Sequence, residues 1–143
     1  MESIRSKTDV EALLPQKHPF VMADALYSYT ETEIIAGLTV TANNILTENG
    51  IFTEAGLLEH MAQCIALHAG YRYKLKNEPV PMGFIAAMSN TEIDSLPKPG
   101  DIIITTATLL REFNGMSQVK VTSTINGNVI AEAEMKTVIA QGI

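Results

Sequence analysis

Between Glu54 and about Leu75 lies the one run that reads as a long helix, and its polarity restricts the fold more than any other feature. It carries Leu57, Leu58, Met61, Ala62, Cys64, Ile65, Ala66, Leu67 and Ala69, interrupted by polar groups only at Glu59, His60, Gln63 and His68. A surface helix keeps one apolar stripe, whereas this one is apolar nearly all round. Such a helix has to be wrapped on most of its sides.

The rest of the chain supplies the wrapping. Phe20 to Tyr29 and Glu33 to Thr41 read as strands joined by a turn at Thr30 to Thr32. Met82 to Ile93, Asp101 to Phe113, Met116 to Ile125 and Val129 to Ala140 read as four more. Pro97-Lys98-Pro99-Gly100 separates the first two of these; Asn114-Gly115 and Asn126-Gly127-Asn128 are tight-hairpin signals. Thr8 to Leu14 reads as a short helix with Thr8 as N-cap and Glu11 at capping-box spacing. Pro15 and Pro19 bracket a tight connection, and Ala42 to Thr53 reads as a long loop. The expectation is an α+β domain over residues 1–143, with about six strands curled around one central helix. The competing arrangement is a sheet with the helix lying on one face.

The composition closes off several function classes. With 46% hydrophobic and 18% charged residues the chain can build a sizeable core, so wholesale disorder is excluded. Ten Lys and Arg against 16 Asp and Glu leave a net charge of -6, unsuited to binding nucleic acid along a broad surface. The single cysteine, Cys64, excludes an internal disulfide and any cysteine-built metal site, and suits a reducing cytoplasm. No His, Asp and Glu cluster has metal-ligand spacing, so no metal is expected. The first twenty residues hold Glu2, Asp9 and Glu11 and no apolar run, and no stretch reaches the roughly 18 apolar residues of a membrane span. A soluble, cytoplasmic protein is expected.

Three segments, in order, carry a resemblance. LLPQKHPFVMAD (Leu13 to Asp24), EHMAQ (Glu59 to Gln63) and PKPGD (Pro97 to Asp101) resemble the β-hydroxyacyl-acyl-carrier-protein dehydratases, hot-dog-fold proteins of fatty-acid synthesis. The family's Leu-Pro-His-Arg-x-Pro-Phe run falls on Leu14, Pro15, Gln16, Lys17, His18, Pro19 and Phe20, and its Glu-Ala-x-Ala-Gln helix motif on Glu59 to Gln63. Its strand ending in Pro-Gly-Asp aligns without a gap onto Ile85 to Asp101. One departure matters. The family's Gly-His-Phe-Pro-Gly loop, which holds the catalytic base, corresponds to the shorter Gly50-Ile51-Phe52-Thr53, with Ile51 where the histidine should be. In this the chain is similar to a divergent branch found in aryl-polyene and related pigment pathways, which shares the histidine-poor loop and the helix start Gly56-Leu57-Leu58-Glu59-His60-Met61-Ala62-Gln63. The resemblance implies action on thioesters of an acyl carrier protein or coenzyme A, with no cofactor beyond the phosphopantetheine that carries the substrate. It also implies a homodimer or higher assembly, or a heterodimer with a related, histidine-bearing hot-dog subunit. The apolar run Met82 to Met88 would line the interface and the acyl channel.

Dehydration of a 3-hydroxyacyl thioester needs a base for the proton next to the carbonyl, an acid for the departing hydroxyl, and donors for the enolate-like oxygen. Glu59 is the candidate acid, since a water-poor site favours the protonated form of a carboxyl. Gln63, four residues on, could orient Glu59 or the bound carbonyl. Gly56 and Leu57 offer backbone N–H groups at the helix start. Phe52, His18, Phe84, Ile85 and Ala86 are the remaining candidates for substrate binding.

Plainer roles stand beside these. Glu59 could simply complement the helix dipole, and Gln63 could satisfy a neighbouring strand's backbone. His60 points about 100° away from Glu59 round the helix, and a buried histidine bonded to backbone or to a neighbouring subunit is its expected role, with a substitute catalytic base as the alternative. Cys64 and His68, at i and i+4, could touch, although a mid-helix cysteine normally packs inertly. The basic end Tyr71 to Lys76 either complements the helix C-terminus or receives an acidic carrier protein or the phosphate of its pantetheine arm. Three functions remain open: a dehydratase or dehydratase subunit, an acyl-thioester hydrolase, and a non-catalytic acyl-binding hot-dog subunit.

Overall fold

A computed structural model describes residues 1–139. Helix α1 (Lys7–Ala12) is followed by β1 (Ala25–Tyr29), β2 (Glu33–Thr39), a small hairpin of β3 (Thr47–Glu48) and β4 (Ile51–Phe52), and the long α2 (Glu54–Leu75). Four long strands complete the chain: β5 (Gly83–Ile93), β6 (Ile102–Phe113), β7 (Met116–Ile125) and β8 (Asn128–Ile139). Six strands form one antiparallel sheet in the order β1-β2-β6-β7-β8-β5. Register shifts interrupt all of its strand pairings except β2 with β6, and such bulges bend and twist a sheet. This is the hot-dog fold.

The curved face receives α2, which packs against β2, β5, β6 and β7. Val119, Val121 and Ser123 of β7 and Ala131, Ala133 and Met135 of β8 alternate inward to form that face. The segment after α1 closes the other side of the helix. Gly70 makes this possible, because a Cβ there would stand 2.5 Å from the carbonyl oxygen of Leu13. From Gly56 to Tyr73 no residue of α2 is exposed, so the wrapped arrangement holds.

Several boundaries differ from the sequence reading. Helix α1 is capped by Ser6, whose hydroxyl accepts from the Asp9 N–H, so Thr8 lies inside the first turn. Strand β1 begins at Ala25, because the backbone of Phe20 and Met22 is bonded to side chains of α2. The expected loop from Ala42 to Thr53 contains the β3–β4 hairpin. Its Asn49-Gly50 turn has positive φ at both residues (52° and 73°), the same geometry as Asn114-Gly115 and Asn126-Gly127. Ala140, expected to end the last strand, lies outside the described residues.

Candidate active site

The first turns of α2 assemble the site. Thr53 caps the helix: its hydroxyl accepts from the Gly56 N–H at 3.2 Å and its carbonyl from the Leu57 N–H at 2.9 Å. The two donors proposed for an enolate oxygen are therefore already engaged by the cap. Gly56 is needed for packing, since a Cβ there would lie 2.7 Å from the Phe52 ring. Phe52 itself is completely buried, so its ring packs in the core of this chain. Its backbone N–H donates to the Pro97 carbonyl at 2.8 Å, tying the hairpin to the proline-rich connection.

Glu59 and Gln63 share a helix face and touch. Gln63 Nε2 donates at 2.8 Å to Glu59 Oε2 and, with its second hydrogen, at 2.8 Å to the Phe20 carbonyl. Gln63 Oε1 accepts from the Met22 N–H at 2.6 Å. The amide is thus both a backbone clamp and an orienting group for Glu59, and it has no donor left for a substrate carbonyl. Glu59 is half-buried.

His60, fully buried, places Nδ1 2.6 Å from the Met22 carbonyl and Nε2 2.7 Å from the Thr105 hydroxyl, as expected for a buried histidine. Burial holds its pKa down at about 4, against a raising contribution from the Met22 contact. Thr105 is in turn 2.7 Å from the Ser123 hydroxyl. Cys64 lies 3.7 Å from His60 Nε2 rather than beside His68, and burial pushes its thiol pKa well up, making it a poor nucleophile. His68 Nε2 meets the Thr30 carbonyl at 2.9 Å and its ring leans on Tyr29. The Cys64–His68 pair does not form.

His18 is exposed on the loop before Phe20, itself 56% exposed beside the Gln63 clamp. Ile51 sits exposed on β4, an aliphatic group with no capacity to take a proton. Phe84, Ile85 and Ala86 lie on the edge strand β5, Phe84 and Ala86 exposed and Ala86 at a bulge. At the far end of α2, Arg72 is drawn into ion pairs with Glu112 (3.2 Å) and Glu31 (3.6 Å), and Tyr71 is buried, so the basic end is thinner than its sequence suggests. Two shallow clefts among the described residues also lie there. The larger, about 550 Å³, is lined by residues including Arg72, Tyr73, Lys76 and Phe113.

Sequence reading missed Phe20, Met22, Thr105 and Ser123. The first two act through backbone and leave no residue-type signal. The hydroxyls left a faint one: a polar residue on the inward face of otherwise apolar strands, as in Ile103, Thr105 and Ala107.

A curved sheet around a buried helix defines a hot-dog protein, and this one displays a carboxyl and its amide clamp near that helix's start. The 3-hydroxyacyl-[acyl-carrier-protein] dehydratase FabZ of Pasteurella multocida is 28% identical over 134 residues, spanning 89% of this chain and 86% of the relative. The fold matches the dehydratase heterocomplex ApeI:P from Xenorhabdus doucetiae with a TM-score of 0.85, at 17% identity over 92% of this chain and 91% of that one. It also matches a hypothetical thioesterase with coenzyme A from Streptococcus pneumoniae, with a TM-score of 0.64 and 13% identity over 80% and 84% of the two chains. The chain belongs to the ApeP-like family, described as ApeP dehydratase, which matches residues 8–142.

Proposed function

We propose that this chain is the carboxyl-bearing half of a dehydratase for 3-hydroxyacyl thioesters on an acyl carrier protein, completed by a histidine-bearing hot-dog partner. The observation that carries the reading is the Glu59–Gln63 pair, held beside the Phe20–Met22 backbone in a chain with Ile51 at the place of the family's histidine. Support comes from curated relatives named for this substrate class and from a solved relative whose name is that of a heterocomplex.

The chemistry then divides between two chains. The partner's imidazole takes the proton from the carbon next to the thioester carbonyl, and that electron pair forms the carbon–carbon double bond. The bond to the hydroxyl oxygen breaks, Glu59 gives its proton to that oxygen, and water leaves. Solvent reprotonates Glu59, and the imidazole gives up its proton for the next turnover. Phe84, Ile85, Ala86 and His18 border the acyl and pantetheine path, which runs between protomers along β5. The substrate rides on phosphopantetheine of a carrier protein, or on coenzyme A, and no protein-bound cofactor takes part. Cytoplasmic location fits the reduced, buried Cys64.

Mass spectrometry of a 3-hydroxyacyl carrier protein tests this. With the histidine-bearing hot-dog protein of the same organism, the chain removes one water and leaves the thioester intact; Glu59→Gln lowers that rate by about 10²-fold or more. Ordinary dehydration rates from this chain alone would remove the partner requirement. Release of free acid would make the protein a hydrolase, and an unchanged thioester a binder.

A further inference from the structure

The proposed reaction leaves one fully buried polar group beside the site without a part. His60 stands where the resembling dehydratases carry alanine in the Glu-Ala-x-Ala-Gln motif, it is fully buried, and both ring nitrogens have close partners. A carbonyl can only accept, so at 2.6 Å from the Met22 oxygen Nδ1 carries the hydrogen. Nε2 of the neutral ring is then an acceptor and takes the Thr105 hydroxyl hydrogen at 2.7 Å. Thr105 oxygen is left to accept from Ser123, also at 2.7 Å. Every hydrogen in the chain Ser123, Thr105, His60, Met22 has one direction.

Met22 is gripped a second time. Its N–H donates to Gln63 Oε1 at 2.6 Å, so one residue of the connecting segment is held at its carbonyl by His60 and at its N–H by Gln63. Those helix residues are three apart and therefore share a face. With the Met22 N–H fixed, the Gln63 oxygen must face it and the amide nitrogen must face Phe20 and Glu59. Glu59 Oε2 is consequently always an acceptor, and a proton that Glu59 donates has to reside on Oε1.

We infer that His60 is a positioning residue: braced by Thr105 and Ser123, it fixes the Met22 peptide that sets the Gln63 amide, and so decides which Glu59 oxygen presents the proton to the leaving hydroxyl. This rests on the dehydratase reading above, because it assigns Glu59 a proton to give. Alanine at position 60 could not hold the Met22 carbonyl, so this chain has a brace that the resembling enzymes lack at that position.

The test uses the complex with its histidine-bearing partner and compares His60→Asn with His60→Leu. An asparagine amide can reach the Nδ1 position and keep the bond to Met22; leucine restores packing and leaves the carbonyl unpaired. Positioning predicts a kcat for His60→Asn within about threefold of wild type and a loss of about tenfold or more for His60→Leu, with KM little changed in both. A packing role predicts the reverse order. If His60→Leu fails to fold, Thr105→Val against Thr105→Ser gives the same comparison one bond further out. Nitrogen-15 NMR of the imidazole should show hydrogen on Nδ1 and none on Nε2 at neutral pH. An active wild-type complex in which leucine matches or exceeds asparagine overturns the positioning role and leaves the dehydratase reading standing. A wild-type complex that does not dehydrate overturns the dehydratase reading, and the NMR arm still decides on the brace: an Nε2–H ring overturns it.

Discussion

At the scale of single residues, the buried imidazole gives the molecule an acid-sensitive point. His60 has a pKa of about 4 in the fold against an ordinary value of 6.5. Between those values the unfolded chain binds the proton and the folded chain does not, so the unfolded state gains as pH falls. The contribution is fully present above pH 6.5 and is lost on the way down to pH 4, and it amounts to about 3 kcal/mol. His68, also lowered by burial, acts in the same direction. Asp24 is raised by burial and acts oppositely, favouring the fold as pH falls. Comparing wild type with His60→Asn cancels those two. The difference in unfolding free energy, from denaturant titrations at intervals from pH 7.5 to 4, should shrink steadily below pH 6.5. A difference that stays flat across that range would mean that His60 is charged in the fold or reached by water.

At the scale of elements, the fit between α2 and the segment after α1 hinges on Gly70. Helix propensity alone favours alanine over glycine by about 1 kcal/mol. Here the new methyl would meet the Leu13 carbonyl oxygen at 2.5 Å, and that oxygen belongs to backbone with little room to yield. Gly70→Ala should therefore destabilise by about 1–3 kcal/mol despite its propensity. Gly83→Ala, whose methyl would find the Val138 oxygen at an ordinary 3.6 Å, should be neutral or slightly stabilising. Thermal midpoints of the two variants decide this; a gain at Gly70 would mean that the loop slides off the helix at small cost.

The same level explains what the sequence made readable. The all-round apolar helix, the four long strands and the hairpins at Asn114-Gly115 and Asn126-Gly127 followed from periodicity and turn chemistry, both local properties. The third Asn-Gly turn, at Asn49-Gly50, was hidden because each flanking strand is only two residues long and shows no alternation. Strand β1 read five residues too long at its start because Phe20 to Asp24 have strand composition, yet spend backbone groups on Gln63 and His60. At the site, the Glu59–Gln63 contact was legible from i, i+4 spacing. The partners of His60 come from 38 and 45 residues away, and no local pattern reports contacts of that span.

For the whole molecule, the two edges of the sheet are unlike. One is β1, only five residues long. The other is β5, eleven residues long, in which every residue but Ile85 and Ile93 is exposed, Phe84 and Met88 among them. An apolar edge of that length invites another strand, and β5 also touches the helix that carries Glu59. Pairing β5 with its counterpart in a second hot-dog chain would cover those side chains and bring another chain's loops towards the carboxyl. A charge placed on that edge should prevent it without disturbing the core, since Phe84 and Met88 project from the fold. Mixed with the histidine-bearing partner, Phe84→Lys with Met88→Lys should give a folded chain that light scattering finds at the mass of one copy, while Ser28→Lys on β1 should still assemble. In the dehydration assay the doubly charged chain should lose turnover together with association, with the charge at Phe84 on the acyl path adding to the loss, although its Glu59, Gln63 and His60 are untouched. Assembly of that variant at the wild-type mass would exclude β5 as the joining edge and move the second half of the site elsewhere on the surface.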